Sequence, residues 1–437
     1  MKRVAFATLG CKTNQYETDA LMDLFHKNGD LIVDFDEIAD LYIINTCTVT
    51  QVSDRKSRQM IRRAKKHNPD AITVAMGCYA QISPDEIAAL EGVDLVLGTN
   101  DRHSILKHIA AVSTEKPDVP IVIVEDISKV TQFEELTVSK VYTHTRAFIK
   151  IQEGCNQFCS YCIIPYARGR VRSRKLDAVV SEVKKLVASG YVEFVLTGIH
   201  IGSYGIDFKD ETSLIDLIEA LNAINGVKRI RLGSLEPRLI DDAFVHRLSK
   251  LDKVCDHFHL SLQSGSNQVL KKMNRKYTRE DFLASVRRLK QLYNAPAITT
   301  DIIVGFPGET EKDFEQSLDI VDTVAFSELH VFPFSPRKGT PAAKMDEQCS
   351  GDLKKERSEK LIAKGRQNTE AYQTAFVGHT LDVLIEEFKD GFWIGHTTNY
   401  LKLYLKDSTP FVYAGSIVSA KIETIADGKL IASVQAS

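Results

Sequence analysis

Short apolar runs alternate with amphipathic stretches over the first hundred residues. Val4–Thr8, Leu41–Asn45, Ile72–Met76 and Leu95–Leu97 read as buried strands, and Asn14–Lys27, Ser53–His67 and Ser83–Leu90 read as the helices between them. Such alternation predicts a parallel sheet covered on both faces. Residues 105–140 are a mixed connector. Between 145 and 335 the alternation returns roughly six times. Its strand candidates are Ala147–Gln152, Phe194–Thr197, Arg229–Leu232, His257–Leu262, Thr299–Val304 and Leu329–Phe332, with helices such as Asp177–Ala188, Asp281–Leu292 and Glu311–Val324 between them. Six right-handed strand–helix units curl into a partial barrel whose chemistry is expected at the strand carboxyl ends. Residues 346–372 are charged and free of proline, and read as a linking helix. From Phe376 the period becomes two. Leu381–Glu386, Trp393–Thr397, Leu401–Leu405, Ser416–Ile425 and Leu430–Val434 then read as strands of a small β-barrel. The fold class is α/β: a parallel-sheet domain, a partial (β/α)6 barrel and a carboxyl-terminal β-barrel.

Composition adds exclusions. The 437 residues are 43% hydrophobic and 26% charged, which is globular and rules out whole-chain disorder or a coiled-coil array. The 56 Lys and Arg against 58 Asp and Glu leave a net charge of −2, so nucleic-acid affinity must come from local patches. No apolar run approaches the 18 or so residues of a membrane helix. The start resembles a signal peptide only briefly, since charged and polar residues follow Cys11 at once and no small-residue cleavage site appears. The expected location is the cytoplasm.

Eight cysteines are too sparse for a disulfide scaffold. Six fall into two triplets. Cys11, Cys47 and Cys78 each follow one of the first three strands, where open parallel sheets bind ligands. Three cysteines distant in sequence are thereby expected at one point in space, the alternative being three buried thiols. Cys155, Cys159 and Cys162 form a CxxxCxxC loop directly after the first barrel strand. Three thiolates on so short a loop suit three corners of a four-iron four-sulfur (4Fe-4S) cube, leaving the fourth iron to an external chelator. A zinc site completed by His144 or His200 is the alternative. Thr197 and Gly198, Glu236, Ser261 and Gln263, and Gly305, Gly308 and Glu309 stand at other strand ends. They are candidate cofactor contacts or plain turn residues. Arg275 offers a guanidinium for a carboxylate. Cys255 and Cys349 belong to neither triplet.

On these motifs the chain resembles the radical S-adenosylmethionine (SAM) methylthiotransferases, over essentially its whole length. The resemblance is carried by Thr8-Leu-Gly-Cys11-Lys-Thr-Asn-Gln-Tyr-Glu, Asn45-Thr-Cys47-Thr-Val-Thr, Gly77-Cys78-Tyr-Ala and Gly154-Cys155-Asn-Gln-Phe-Cys159-Ser-Tyr-Cys162-Ile-Ile-Pro-Tyr-Ala-Arg-Gly. It implies a methylthiotransferase amino-terminal domain at 1–112, a radical SAM core at 141–370 and an RNA-binding TRAM domain at 373–437. It also implies two 4Fe-4S clusters, on Cys11, Cys47 and Cys78 and on Cys155, Cys159 and Cys162. SAM is expected on the second, facing Thr197, Gly198, Glu236, Ser261, Gln263 and Arg275. The implied chemistry cleaves one SAM to a 5′-deoxyadenosyl radical and uses another to methylate a cluster-borne sulfur. Gly-Cys-Lys-Thr-Asn-Gln-Tyr-Glu, Ser53-Asp-Arg-Lys-Ser-Arg-Gln and His144-Thr-Arg-Ala-Phe-Ile-Lys are similar to the MtaB-type branch. That branch implies 2-methylthiolation of threonylcarbamoyladenosine next to the tRNA anticodon, with the tRNA anticodon stem-loop and an external electron donor as partners and no membrane.

Two basic segments are candidate phosphate contacts: Arg55, Lys56, Arg58, Arg62, Arg63, Lys65 and Lys66, then Arg168, Arg170, Arg172, Arg174 and Lys175. From 371 onward five Lys face seven Asp and Glu, so recognition by the last domain falls to shape or to aromatics such as Trp393, Tyr400 and Tyr404, unless these fill its core. Three rival functions remain: a methylthiotransferase for isopentenyladenosine, a non-catalytic iron–sulfur RNA-binding redox sensor, and a cobalamin-dependent radical methyltransferase. Against the last, the amino-terminal domain lacks an Asp-x-His-x-x-Gly signature.

Overall fold

The computed structural model describes residues 1–114, 119–139, 144–406 and 412–435. The boundary expected at 141 and the end expected at 437 lie outside them. The amino-terminal sheet has six parallel strands in the order Leu31–Val33, Arg3–Thr8, Leu41–Thr46, Ile72–Gly77, Leu95–Leu97, Ile121–Ile123. Alternate residues of each strand feed two cores. Ala5, Tyr42, Ile44 and Ala75 pack with Ile61 and Ala64 of the Gln51–His67 helix. Val4, Phe6, Ile43 and Val74 pack with Leu21 and Phe25 of the Lys12–Lys27 helix. The two strands missed in the sequence are three-residue edges, too short to carry a period. The helix expected over Ser83–Leu90 is found as Pro84–Ala88, and a separate short helix, Cys78–Ile82, precedes it. Pro84 lacks an N–H, and Ser83 before it leaves helical geometry (φ −135°, ψ 59°).

Six parallel strands form the partial barrel: Ala147–Glu153, Glu193–Gly198, Arg229–Leu232, His257–His259, Ala297–Val304 and Glu328–Pro333. Single bridges such as Leu235 to Leu260 join its two sheets. A two-residue strand, Arg172–Ser173, adds antiparallel to the first. Ile149, Leu196, Ile230, Phe258, Ile302 and their alternates point to the helices, so Lys150, Arg231, His259 and Asp301 face the lumen. The amino-terminal domain spans the open side. Its Lys12–Lys27 helix lies against the first barrel strand, and Arg337, beyond the sixth, pairs with Asp54 at 2.6 Å.

The Gly351–Ala375 helix runs along the sixth strand. Gly365 permits that approach, since a Cβ there would lie 2.9 Å from Leu329. Five strands then close a small barrel. It docks through backbone carbonyls: Arg231 donates to Thr397 O and Thr398 O at 3.1 and 2.9 Å, and Arg229 to His396 O and Asp382 O at 3.0 and 2.8 Å. The buried Glu193 balances both guanidiniums, lying 2.8 Å from Arg231. Tyr400 stacks between His257 and His396, 4.6 Å from each. Among the described residues no helix is long and apolar enough to cross a membrane.

Removing one partner of a buried ion pair leaves an uncompensated charge. Glu193→Ala should therefore cost about 3–5 kcal/mol in chemical denaturation. Because both docking arginines lose their counter-charge, limited proteolysis should release the carboxyl-terminal barrel earlier than in the parent.

Candidate functional site

The strands of the first sheet end together, and their cysteines converge. Gly10, at φ +106°, turns the chain so closely past Cys47 that a Cβ on it would lie 2.9 Å from that sulfur. Cys11 follows as the residue capping the Lys12–Lys27 helix, and Cys78 opens the Cys78–Ile82 helix after the positive-φ Gly77. Burial pushes the Cys78 thiol up to about 12; Arg168 pulls the other way and the neighbouring Cys47 and Cys11 add to the rise. Cys47 is raised too, chiefly by burial.

The second triplet tops the first barrel strand. Gly154, at φ +70°, leaves no room for a side chain, since a Cβ would lie 1.9 Å from Arg170 O. Gln157 N donates to Cys155 Sγ at 3.4 Å, and Arg275 donates to Cys159 Sγ at 3.2 Å. Burial raises Cys155 to about 11 and Cys162 to about 12, with Cys159 adding repulsion to each.

Cys47, Cys78, Cys155 and Cys162 ionise at neutral pH only when a cation takes the proton's place, as metal binding does. Both donor sets are all-thiol, which suits a cube held at its corners. The two histidines offered as a fourth zinc ligand are engaged elsewhere. His144 precedes the Ala147–Glu153 strand at the end opposite Cys155 and packs on Phe148, while His200 pairs with Glu236 at 2.9 Å.

The other residues singled out in the sequence frame the second triplet unevenly. Glu236 accepts from Gln157 at 3.1 Å, so it touches the cysteine loop directly. Burial alone would raise its carboxyl, but His200 and Arg275 hold it below the usual range. Gly198 follows Thr197 and passes so near the first strand that a Cβ would lie 2.9 Å from Gln152 O. Ser261 meets Ser234 at 2.8 Å, and Gln263, at φ +69°, bridges to the fifth strand. Arg275 is half-buried against Cys159 and the Tyr277 ring. Glu309 is a structural residue: it accepts from Gly305 N at 2.6 Å and from Arg357 at 2.7 Å.

The arginines after the second triplet require a correction. Arg168, Arg172 and Arg174 are buried and offer nothing to a phosphate. Arg174 is taken by Glu182 and by Glu135 at 2.8 Å. Arg168 donates through Nε to Cys78 Sγ at 3.1 Å, through Nη1 to Glu153 at 3.1 Å and through Nη2 to Glu17 at 3.1 Å. It sits on the Ile164–Arg168 helix, which begins two residues past Cys162, so the segment leaving the second triplet sets a guanidinium on a sulfur of the first. Arg102 and Lys150 complete the network, Lys150 lying 2.8 Å from Glu17 and Arg102 2.7 Å from Glu134. Sequence spacing hid these partners, because the acids lie far from the arginines. The available signal was Asn14 and Glu17 on the face of the helix that starts at Cys11. Arg170 and Lys175 remain exposed. So do Arg55, Lys56, Arg62, Arg63 and Lys66 of the first basic segment, although Arg63 pairs with Asp36 and Arg58 with Glu86. Tyr400 is committed to its histidine stack. Trp393 packs on Phe388, and Tyr404 lies against Phe392 among Lys402 and Lys429.

Lys12, next to Cys11, was not singled out. Its neighbours in charge are Arg146, Arg231 and Glu193 of the central barrel, and among the described residues it makes no hydrogen bond or ion pair of its own. Burial, with repulsion from Arg146 and Arg231 and a partial offset from Glu193, lowers its ammonium to about 8.

Residues 149–321 match the Radical SAM superfamily and residues 3–98 match the Uncharacterized protein family UPF0004. The chain is 47% identical over 427 residues to the threonylcarbamoyladenosine tRNA methylthiotransferase MtaB of Bacillus subtilis, covering 97% of this chain and 94% of that protein. It is 40% identical to the protein of the same name from Aquifex aeolicus, covering 88% of this chain and 93% of that one. It is 37% identical to the tRNA-2-methylthio-N(6)-dimethylallyladenosine synthase of Clostridium novyi, over 88% and 86%. Among solved structures, the fold is similar to the radical S-adenosylmethionine methyltransferase TsrM from Kitasatospora setae, with a TM-score of 0.58 at 18% identity over 78% of this chain and 77% of that one.

The buried acids predict a pH profile. Burial alone would raise the Glu153 carboxyl, but Arg168 and Lys150 outweigh it and hold it at about 2, Glu17 opposing them. A folded-state value below the ordinary 4.5 contributes stability that is present above pH 4.5 and is lost as pH falls toward 2. Urea unfolding across this window should show that loss, and Glu153→Gln should flatten it.

Proposed function

The chain belongs to the radical SAM methylthiotransferases, and we propose that it places a methylthio group on carbon 2 of threonylcarbamoyladenosine beside the anticodon of tRNA. The observation that carries this reading is the pair of cysteine triplets, each at strand carboxyl ends, with Arg168 beyond the second donating to a sulfur of the first. Cys155, Cys159 and Cys162 would hold the SAM-binding 4Fe-4S cluster, and Cys11, Cys47 and Cys78 a second one. Once bound, these groups supply radical hydrogen abstraction and a sulfur to transfer, chemistry beyond any side chain.

The protein's part is positioning and charge. Arg275 and the Gln157 N–H donate to thiolates of the second triplet, and Arg168 to Cys78. Each such donor stabilises the charged sulfur. Thr197, Gly198, Glu236, Ser261, Gln263 and Arg275 form the set facing SAM. The glycine admits close backbone approach, and Glu236 is an acceptor suited to an ammonium. Residues 1–112, 141–370 and 373–437 serve as the sulfur-transfer domain, the radical core and a TRAM-type RNA-binding barrel. The exposed face of the Gln51–His67 helix, beginning just after Cys47, suits tRNA phosphates. The reaction draws on an external electron donor, and the substrate places it in the cytoplasm.

The threonylcarbamoyl group carries a carboxylate, whereas an isopentenyl group is an apolar hydrocarbon. Lys12, a cation beside Cys11 with no hydrogen-bond or ion-pair partner among the described residues, supports the charged substrate.

Nucleoside analysis of tRNA from cells lacking the protein tests the reading. The methylthio-threonylcarbamoyl nucleoside should disappear and the isopentenyl derivative persist; the reverse would refute the assignment. Reconstituted protein should hold roughly eight irons per chain, and the variant with Cys11, Cys47 and Cys78 changed to Ala roughly four. That variant should still cleave SAM. Lys12→Met should lower kcat/KM on the threonylcarbamoyl substrate by at least tenfold, the cost of one charged hydrogen bond, with iron content unchanged.

A further inference from the structure

Three polar side chains outside both cysteine triplets converge in the central barrel. His259, Asp301 and His330 stand on the fourth, fifth and sixth barrel strands, and one ligand atom from each lies within 4.8 Å of the others. Asp301 and His330 are directly paired in strand register. His259 Nε2 is 3.3 Å from Asp301 Oδ2. Two ligands of a tetrahedral ion at about 2.0–2.1 Å are themselves about 3.3 Å apart.

The surroundings match the needs of an ion. His259 Nδ1 is 3.0 Å from Thr299 Oγ1. In the tautomer with Nδ1–H donating to that hydroxyl, the Nε2 lone pair faces Asp301, and the two acceptors confront each other as they do around a bound cation. Metal-bound histidines are commonly anchored in this way through their second nitrogen. A proton between His259 and Asp301 would satisfy only that pair. It would leave His330, which makes no hydrogen bond among the described residues and stacks on His259 at 6.0 Å, without a role. All three residues sit on adjacent strands, which fixes their separations, and all three keep some exposure to the lumen. Two imidazoles and one carboxylate form the donor set of open divalent sites.

We propose that His259, Asp301 and His330 bind one divalent zinc ion in the lumen of the central barrel. Two neutral imidazoles and one carboxylate leave the bound ion with a net positive charge. Its remaining positions face the lumen, where an anionic or carbonyl oxygen of a substrate can enter. Thr299 is a positioning residue for His259.

The test uses the anaerobic holoenzyme with its clusters loaded. Protein is equilibrated with zinc chloride and desalted, and zinc and iron are counted together by mass spectrometry. The parent should retain about one zinc per chain beyond the amount held by the H259Q/H330Q double variant. The isosteric Asp301→Asn should also lose it, and iron should stay at the parent's level in both, which reports that they fold. Thr299→Val should keep the zinc but yield it to a competing chelator with 10–100-fold weaker affinity. The proposal is overturned if the parent retains no zinc, or if either the double variant or Asp301→Asn retains as much as the parent. Activity and iron stoichiometry are read separately, so failure here leaves the methylthiotransferase assignment standing.

Discussion

Arg168 occupies the seam between the amino-terminal sheet and the central barrel, and its five nitrogen-bound hydrogens are spread over both. One edge of the guanidinium meets Cys78 and Asn14 of the first domain, and the other meets Glu153 of the first barrel strand, with Glu17 touching both ends. Around it three cations, Arg102, Lys150 and Arg168, face three carboxylates, Glu17, Glu134 and Glu153. A balanced set of this kind survives burial only while every member is present, because each desolvated charge is compensated by its neighbours alone. The relative position of two cysteine sites contributed by separate domains therefore rests on electrostatics in a dry interface, with an arginine whose fork geometry fixes angles as well as distances.

Most of the architecture was legible because its strands are buried on both faces and separated by helices long enough to show their own period. The six barrel strands and the five of the closed barrel were found within a few residues. What escaped was short or context-bound. Leu31–Val33 and Ile121–Ile123 are edges of three residues, and the break at Ser83 is a proline effect inside an otherwise helical stretch. The cysteines were readable since thiols at equivalent strand ends have few other purposes. The arginines misled for the opposite reason: Arg168, Arg172 and Arg174 look like a phosphate patch in one dimension, and only the fold reveals that Glu17 and Glu153 claim Arg168, that Glu182 claims Arg174 and that Arg172 is buried and donates to Arg170 O. Charge in sequence predicts affinity for an anion, and it cannot say whether that anion is a ligand or another part of the chain.

The lumen inherits its polarity from this arrangement. Apolar residues of the barrel strands point outward to the helices, leaving Lys150, Arg231, His257, His259 and Asp301 inside. Tyr400 of the last domain forms the floor, held between two histidines and beneath Arg231. Lys12 of the first domain stands among Arg146, Arg231 and Glu193, so charged residues of the first two domains meet where Tyr400 of the last one packs.

The helix Gly351–Ala375 is fixed at both ends. Near its start Arg357 holds Glu309 of the loop after the fifth strand. Near its end Tyr372 donates to Ala295 O and accepts from Asn399 of the last domain. Its 25 residues span about 37 Å at 1.5 Å per residue. Inserting one residue would swing everything beyond by about 100° around the helix axis, tearing the carbonyls of Thr397 and Thr398 from Arg231. The segment therefore acts as a calibrated spacer in which length and phase are inseparable, and evolution can lengthen the surface loops of this enzyme far more freely than this rod.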